Sequence, residues 1–134
     1  MNQLQDTQNF LLNLLEKIFG LETIYITDNQ GVVLDQISKT QNIQKKEFIF
    51  GPLFANLSNQ TSKLGFGENQ SITTFYKEKI MVQIQLNSII LSLIGDLDLN
   101  VGLIDSYIPT FTQAFQHLIE TVGEIEKNKK EINL

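Results

Sequence analysis

The sequence predicts an α+β domain with a central antiparallel sheet, and two observations lead to that fold class. First, the elements follow the order helix, two strands, helix, three strands, helix. Second, connections of only a few residues join the last three strands, and strands joined so closely form an antiparallel meander. Helices kept apart from antiparallel strands in this way are typical of α+β domains. The length of 134 residues suits one domain with one hydrophobic core.

The first helix is predicted from apolar residues that recur three and four positions apart. Asp6 or Thr7 is placed to cap the start of this helix, and Gly20 is placed to end it. The apolar residues with this spacing are Phe10, Leu11, Leu14, Leu15, Ile18 and Phe19.

A β-hairpin follows the first helix. Residues 23–27 (TIYIT) are rich in strand formers, and Val32 begins a second strand. Between them, residues 28–31 (DNQG) form a turn in which the glycine supplies a positive φ angle. Residues 38–47 (SKTQNIQKKE) are polar and indicate a loop.

The middle helix is predicted from Gly51-Pro52 to Gly65, because proline fits the first turn of a helix and glycine commonly ends one. Its apolar stripe consists of Phe50, Leu53, Phe54, Leu57 and Leu64. The opposite, polar side carries Asn56, Asn59, Gln60 and Lys63.

Three strands and a last helix complete the domain. The strands are predicted at 70–76, 79–86 and 88–95. The last helix begins near Asn100, a good N-cap, and Pro109 predicts a kink in it or a helix in two pieces. The chain therefore reads as a single domain, 1–126, followed by a charged C-terminal tail, 127–134, which we expect to fray.

The composition excludes several classes of function. A net charge of −5 without a basic stripe argues against nucleic-acid binding. The absence of cysteine removes disulfides, zinc–thiolate sites and thiol nucleophiles. No signal peptide, bilayer-length apolar run or lipidation motif is visible, so we expect an intracellular, soluble chain without direct membrane insertion.

Three features partly match known ligand-binding or catalytic motifs, and each lacks residues that the motif requires. Residues 65–67 (GFG) precede a strand rather than a helix and lack a following Lys-Ser pair, so they indicate a helix end and turn rather than a nucleotide site. Residues 96–100 (DLDLN) imitate a calcium loop, but Val101 and Tyr107 occupy its diagnostic glycine and glutamate places. His117, the single histidine, lies in the last amphipathic helix. We therefore expect no catalytic residue, no metal and no cofactor.

Several segments, in order and without large gaps, resemble roadblock domains. The more specific segments are similar to the MEK-partner scaffold subunits of Ragulator, the late endosomal and lysosomal adaptor complex. The similarity spans about residues 10–123. The segments that carry it are GLETIYITD at 20–28, GV at 31–32, FA at 54–55, QTSKLG at 60–65, NQSI at 69–72, VQI at 82–84 and NVGLI at 100–104.

The resemblance implies a roadblock-like three-layer domain, order α-β-β-α-β-β-β-α, with a five-stranded antiparallel sheet and helices on both faces. It also implies a dimer in which the middle helix and third strand of each subunit meet. Residues 71–76 agree with this, since an exposed strand edge without an internal Lys or Pro tends to find a partner strand. A polar helix side is ordinarily solvated, so that simpler interpretation stays open. The candidate partner-binding residues are Asn56, Asn59, Gln60, Lys63, Ser71, Ile72, Thr73, Thr74 and Phe75.

The function implied by the resemblance is that of a non-catalytic scaffold. It would form a heterodimer with a second roadblock-domain subunit, alongside other Ragulator-like subunits that include a lipid-anchored one. The pair would support Rag-type GTPases and TOR signalling on the cytosolic face of late endosomes and lysosomes, with recruitment of MEK and ERK as a further implied role. The alternative is a homodimeric roadblock module of dynein or a regulator of another small GTPase.

Overall fold

The computed structural model of the chain describes residues 3–39, 54, 56–57, 59–61, 63–67 and 69–132. Helical residues occur at 54, 56–57 and 59–61, and we call them the middle helical segment. The other elements are α1 (Gln3–Lys17), β1 (Leu21–Asp28), β2 (Val33–Ser38), β3 (Ser71–Phe75), β4 (Ile80–Leu86), β5 (Ile89–Gly95), α2 (Val101–Ser106), α3 (Ile108–Ala114) and α4 (Gln116–Ile132).

The five strands form one antiparallel sheet in the order β2-β1-β5-β4-β3. This confirms the predicted fold class, and the three later strands lie within one residue of their predicted bounds. The first hairpin is also confirmed: Gly31 has φ +93° in the turn between β1 and β2. The long connection between β2 and β3 places them at opposite edges of the sheet.

One face of the sheet packs against α1 and the C-terminal helices. Along β1, β5 and β4 the registers place Ile24, Leu93 and Val82 in one lateral row, and all three are fully buried. Leu11 of α1 and Phe111 of α3 belong to the same apolar cluster. This cluster is the main core of the domain, and its face of the sheet is called the core face below.

The opposite face of the sheet is also buried, and it is more polar. Tyr25, Gln83 and Ser92 occupy one lateral row on β1, β4 and β5 and are at most 5% exposed. The amide of Gln83 donates to the Ser92 hydroxyl at 3.2 Å. Phe54 of the middle helical segment, 1% exposed, is buried outside the main cluster.

The first helix starts earlier than predicted. We expected Asp6 or Thr7 to cap it, but α1 already begins at Gln3, so that prediction is wrong. Asp6 lies instead in the first turn, where a carboxylate interacts favourably with the positive end of the helix dipole. Gly20 follows the helix end, as predicted, and has φ +86°.

The middle helical segment ends before the predicted Gly65, because residues 63–64 already form a turn, and its apolar stripe is divided. Gly65 has φ +77° and nothing within 4 Å of an added Cβ, so backbone conformation alone favours glycine there. The interpretation of residues 65–67 as a helix end and turn is confirmed. Of the predicted stripe, Phe54 is buried, whereas Leu57 and Leu64 are 36% and 63% exposed. The prediction for Gly51-Pro52, and nearly all of that for the loop 38–47, lie outside the described residues.

The last helix is divided into three pieces. The Asn100 side chain accepts from the Leu103 N–H at 3.0 Å, which confirms the predicted N-cap. The expected interruption near Pro109 occurs at Tyr107, and Pro109 occupies the first turn of α3, where its missing N–H is tolerated. A second interruption, at Phe115, was not predicted.

The charged segment after residue 126 is helical as far as the structure describes it. α4 continues to Ile132, whereas we expected fraying from 127 onward. Glu126 and Lys130 are four residues apart with the acid first, an arrangement that favours helix. The division into a domain, 1–126, and a tail, 127–134, stays a prediction.

Candidate partner-binding interface

Strand β3 lies at an edge of the sheet, and within the described chain it pairs only with β4. Two hydrogen bonds fix which of its peptide groups face β4. The N–H of Gln85 donates to the Gln70 carbonyl at 3.0 Å, and the N–H of Tyr76 donates to the Lys79 carbonyl at 2.8 Å. Because hydrogen-bonded pairs alternate along an antiparallel ladder, the even-numbered residues of β3 bond to β4.

The odd-numbered residues of β3 therefore turn their peptide groups away from the sheet. Ser71, Thr73 and Phe75 each present an N–H and a C=O to the outer edge. No hydrogen bond to these outward groups exists within the described residues. A strand of another chain can satisfy them directly, which makes β3 suited to extending the sheet across an interface.

The other edge of the sheet is blunted by one of its own side chains. The Lys39 N–H donates to the Glu22 carbonyl at 2.9 Å, so the odd-numbered residues of this part of β2 bond to β1. The N–H of the even-numbered Gln36 therefore faces outward, away from β1. This N–H donates to the Asp35 carboxylate at 2.8 Å. An intramolecular acceptor thus occupies a donor that strand pairing would need, so β3 is the more accessible of the two edges.

The side chains of β3 divide between the two faces of the sheet. Phe75 lies on the core face beside Ile80 but is 69% exposed, whereas the other four residues of the strand are half-buried. An exposed aromatic ring at a strand edge can pack on a facing strand. The register of β3 with β4 pairs Ser71 with Ile84, Ile72 with Gln83, Thr73 with Val82, Thr74 with Met81 and Phe75 with Ile80.

The predicted polar residues of the middle helix are all on the surface. They are Asn56, Asn59, Gln60 and Lys63. The chain passes from Lys63 to β3 in seven residues, so the C-terminal end of the middle helical segment and the strand stay close in the chain. Their part in binding a second subunit stays a prediction.

Sequence reasoning missed three exposed apolar side chains in the same region. Leu57, Leu64 and Phe66 are 36%, 63% and 88% exposed. Helical periodicity placed the two leucines in one apolar stripe with Phe54, and periodicity alone does not show which members of a stripe are exposed. The exposure of Phe66 could have been predicted, because a phenylalanine between two turn glycines does not belong to a helix or strand that packs on the core. These residues add apolar surface beside the candidate polar side.

The motifs that suggested chemistry have structural roles. The Asp96 carboxylate accepts from the Asp98 N–H at 2.8 Å, and the Asn100 side chain caps α2. His117 is exposed on α4. Across the part of the chain that the structure describes, no three His, Cys, Asp or Glu side chains come together as metal ligands. Nor is any helix in that part long and apolar enough to span a bilayer.

Comparison with known proteins identifies relatives over most of the chain. A family model described as "Mitogen-activated protein kinase kinase 1 interacting" matches residues 5–122. The Drosophila melanogaster protein named "Ragulator complex protein LAMTOR3 homolog" is 34% identical over 119 residues, covering 81% of this chain and 94% of that relative.

Solved structures share the fold at low identity. Myxococcus xanthus MglB superposes with a TM-score of 0.75 at 14% identity, covering 91% of this chain and 93% of MglB. A roadblock/LC7 domain from Streptomyces avermitilis gives 0.65 at 7% identity, covering 81% of this chain and 93% of that domain. These similarities establish the roadblock fold.

Proposed function

The chain belongs to the mitogen-activated protein kinase kinase 1 interacting family and has the roadblock fold, and from this we propose that it is a non-catalytic scaffold subunit of a Ragulator-like complex. The observation that carries the proposal is the outer edge of β3. Three residues, Ser71, Thr73 and Phe75, direct peptide groups outward there that have no hydrogen-bond partner among the described residues. An edge of this kind is a binding surface rather than a reaction site.

We propose that a second, different roadblock subunit adds its own strand to β3, so that the two sheets become continuous. The exposed ring of Phe75 would pack against the partner strand. We call the contact between the two strands the dimer seam. The polar side of the middle helical segment (Asn56, Asn59, Gln60 and Lys63) would contact the partner beside it. Ile72 and Thr74 would not bond to the partner strand; their peptide groups bond to β4 and so hold β3 in position for pairing.

The cellular role that we propose follows from the names of the relatives. The Drosophila relative is named for Ragulator, and the family is named for its interaction with mitogen-activated protein kinase kinase 1. The pair would support Rag-type GTPases and TOR signalling at late endosomes and lysosomes, and would recruit MEK and ERK. Membrane association would come through other subunits, including a lipid-anchored one.

Native purification tests this proposal. The full chain, tagged and expressed at its natural level, is isolated from its own cells, and the intact complex is weighed by native mass spectrometry. A one-to-one pair with a distinct roadblock subunit, together with further Ragulator-type subunits, is the expected result. A homodimer bound to dynein intermediate chain, or to an unrelated small GTPase, would contradict it in favour of the alternative.

A further inference from the structure

A groove of about 620 Å³ lies on the surface of the domain, at the sheet edge opposite β3. Its walls come from the first turns of α1, the start of β2 and the junction between α3 and α4. These segments are distant in sequence, so the groove is a product of the fold. β2 and β3 are separated by four strand spacings, about 19 Å. A strand added to β3 would therefore leave the groove open.

The floor of the groove is apolar and well supported. The Phe10 ring packs edge-to-face on Phe115, with ring centroids 5.3 Å apart and an interplanar angle of 86°. Phe115 is almost completely buried, and Leu118 beside it is half-buried. Leu34 of β2, 39% exposed, adds an accessible aliphatic side chain. Such a floor offers a fixed apolar surface to an incoming side chain.

The rim of the groove is acidic. Asp6, Asp35 and Glu120 contribute to its lining, and among the described residues no lysine or arginine does. Two of these carboxylates are held in place by neighbouring amides. Gln8 donates to Asp35 at 2.6 Å, and Gln116 donates to Glu120 at 2.9 Å. Fixed charges of one sign around an apolar floor select ligands of the opposite charge.

We propose that this groove binds a short peptide segment of another protein, with one apolar anchor side chain flanked by Lys or Arg. The anchor would cover the floor formed by Phe10, Leu34 and Leu118, and the basic side chains would reach the carboxylates on the rim. The peptide is held by its side chains rather than as an added strand, because the outward N–H of Gln36 already donates to Asp35. The chain would thus carry two independent binding surfaces.

The ligand can be selected directly. Short random peptides displayed on phage are panned against the immobilised full chain, with counter-selection on a Leu34→Lys variant that places a cation at the floor. We expect enrichment of sequences with an apolar residue flanked by Lys or Arg. The most enriched peptide is then synthesised with a fluorophore, and its affinity is measured by polarisation at physiological salt.

Two matched variants locate the binding. Asp6→Lys with Glu120→Lys should weaken the selected peptide by at least about fivefold, since two attractions become repulsions. Asp98→Lys with Asp105→Lys makes the same change in net charge at exposed positions outside the groove lining, and should leave affinity within about twofold. Leu34→Ser should also weaken binding, whereas Leu12→Ser, at a leucine 47% exposed elsewhere on α1, should not.

Several outcomes would overturn the proposal. One is that no peptide binds the natural chain better than the Leu34→Lys variant, and another is that the enriched sequences lack basic residues. A third is that the two charge-reversed variants lose peptide affinity equally. The Thr73→Pro variant, which blocks the β3 edge, must keep its affinity for the peptide. Loss of peptide binding in that variant would move the site to the proposed dimer seam, so failure of this proposal and failure of the proposed pairing are distinguishable.

Discussion

The backbones of Gly20 and Gly95 pass so closely that a Cβ added to Gly95 would lie 2.4 Å from the carbonyl oxygen of Gly20. The same carbonyl accepts the N–H of Asp96 at 3.0 Å. This contact holds the end of α1 against the end of β5, at one corner of the core. Neither backbone can move away without breaking that hydrogen bond.

Gly95→Ala should therefore destabilise the domain by about 1–3 kcal/mol, the usual range for an overpacked site. Gly102→Ala is the matched control, because a Cβ there meets its nearest atom, Asn100 Oδ1, at 3.7 Å. Since Gly102 is exposed in α2, alanine should stabilise the domain by about 0.5–1 kcal/mol through helix propensity. Urea unfolding of both variants measures the two effects, and equal effects of the same sign would refute the crowding argument.

Calcium, magnesium and ATP should leave the melting temperature unchanged. The oxygens that a calcium loop would use are already engaged within the turn: Asp96 accepts from the Asp98 N–H and Asn100 accepts from the Leu103 N–H. A ligand that binds only the folded state would raise the melting temperature, by an amount that grows with the logarithm of its concentration relative to its Kd. Scanning calorimetry with each ligand in millimolar excess tests this, and a rise of several degrees would disprove it.

Thr73→Pro should abolish partner binding and leave the sheet intact. The Thr73 N–H faces outward and has no acceptor among the described residues, so proline removes a donor that a partner strand would use. Thr74→Pro is the matched control, because the Thr74 N–H faces β4 and its loss breaks the internal ladder.

Affinity for the partner roadblock subunit and stability to urea separate the two cases. Thr73→Pro should lose binding with little change in stability, whereas Thr74→Pro should lose stability as well. Full binding by Thr73→Pro, with circular dichroism showing a folded chain, would place the seam elsewhere.

The sequence predicts most of this fold because its signals are local. The turn at 28–31, the cap at Asn100 and the short runs of strand-forming residues in the last three strands are each signals within a few residues. The early start of α1 was missed because Asp6 and Thr7 are cap-type residues close to the apolar stripe, and good helix formers extend a helix past a candidate cap. The second interruption of the last helix, at Phe115, could not be predicted, because no proline or glycine lies at that position.

The details of the two binding surfaces depend on contacts that are distant in sequence. Whether Thr73 or Thr74 turns its N–H outward depends on the register of β3 with β4, which alternation alone does not fix. The groove needs Asp6, Leu34 and Leu118 to come together from three separate elements. The candidate strand itself was still predictable, because 71–75 is rich in strand formers and lacks the charges that usually protect an edge.

Phe75→Ala should weaken pairing with the partner subunit by about 1–3 kcal/mol, a common loss for an aromatic ring at an interface. Phe75 is 69% exposed at the open edge, so its removal leaves no cavity in the core and should not unfold the chain. Phe19→Ala is the matched control, since Phe19 is 73% exposed but adjoins β1, two strands further from that edge than β4. Isothermal titration of each variant with the partner should show a loss only for Phe75→Ala; equal affinities would mean that this ring lies outside the seam.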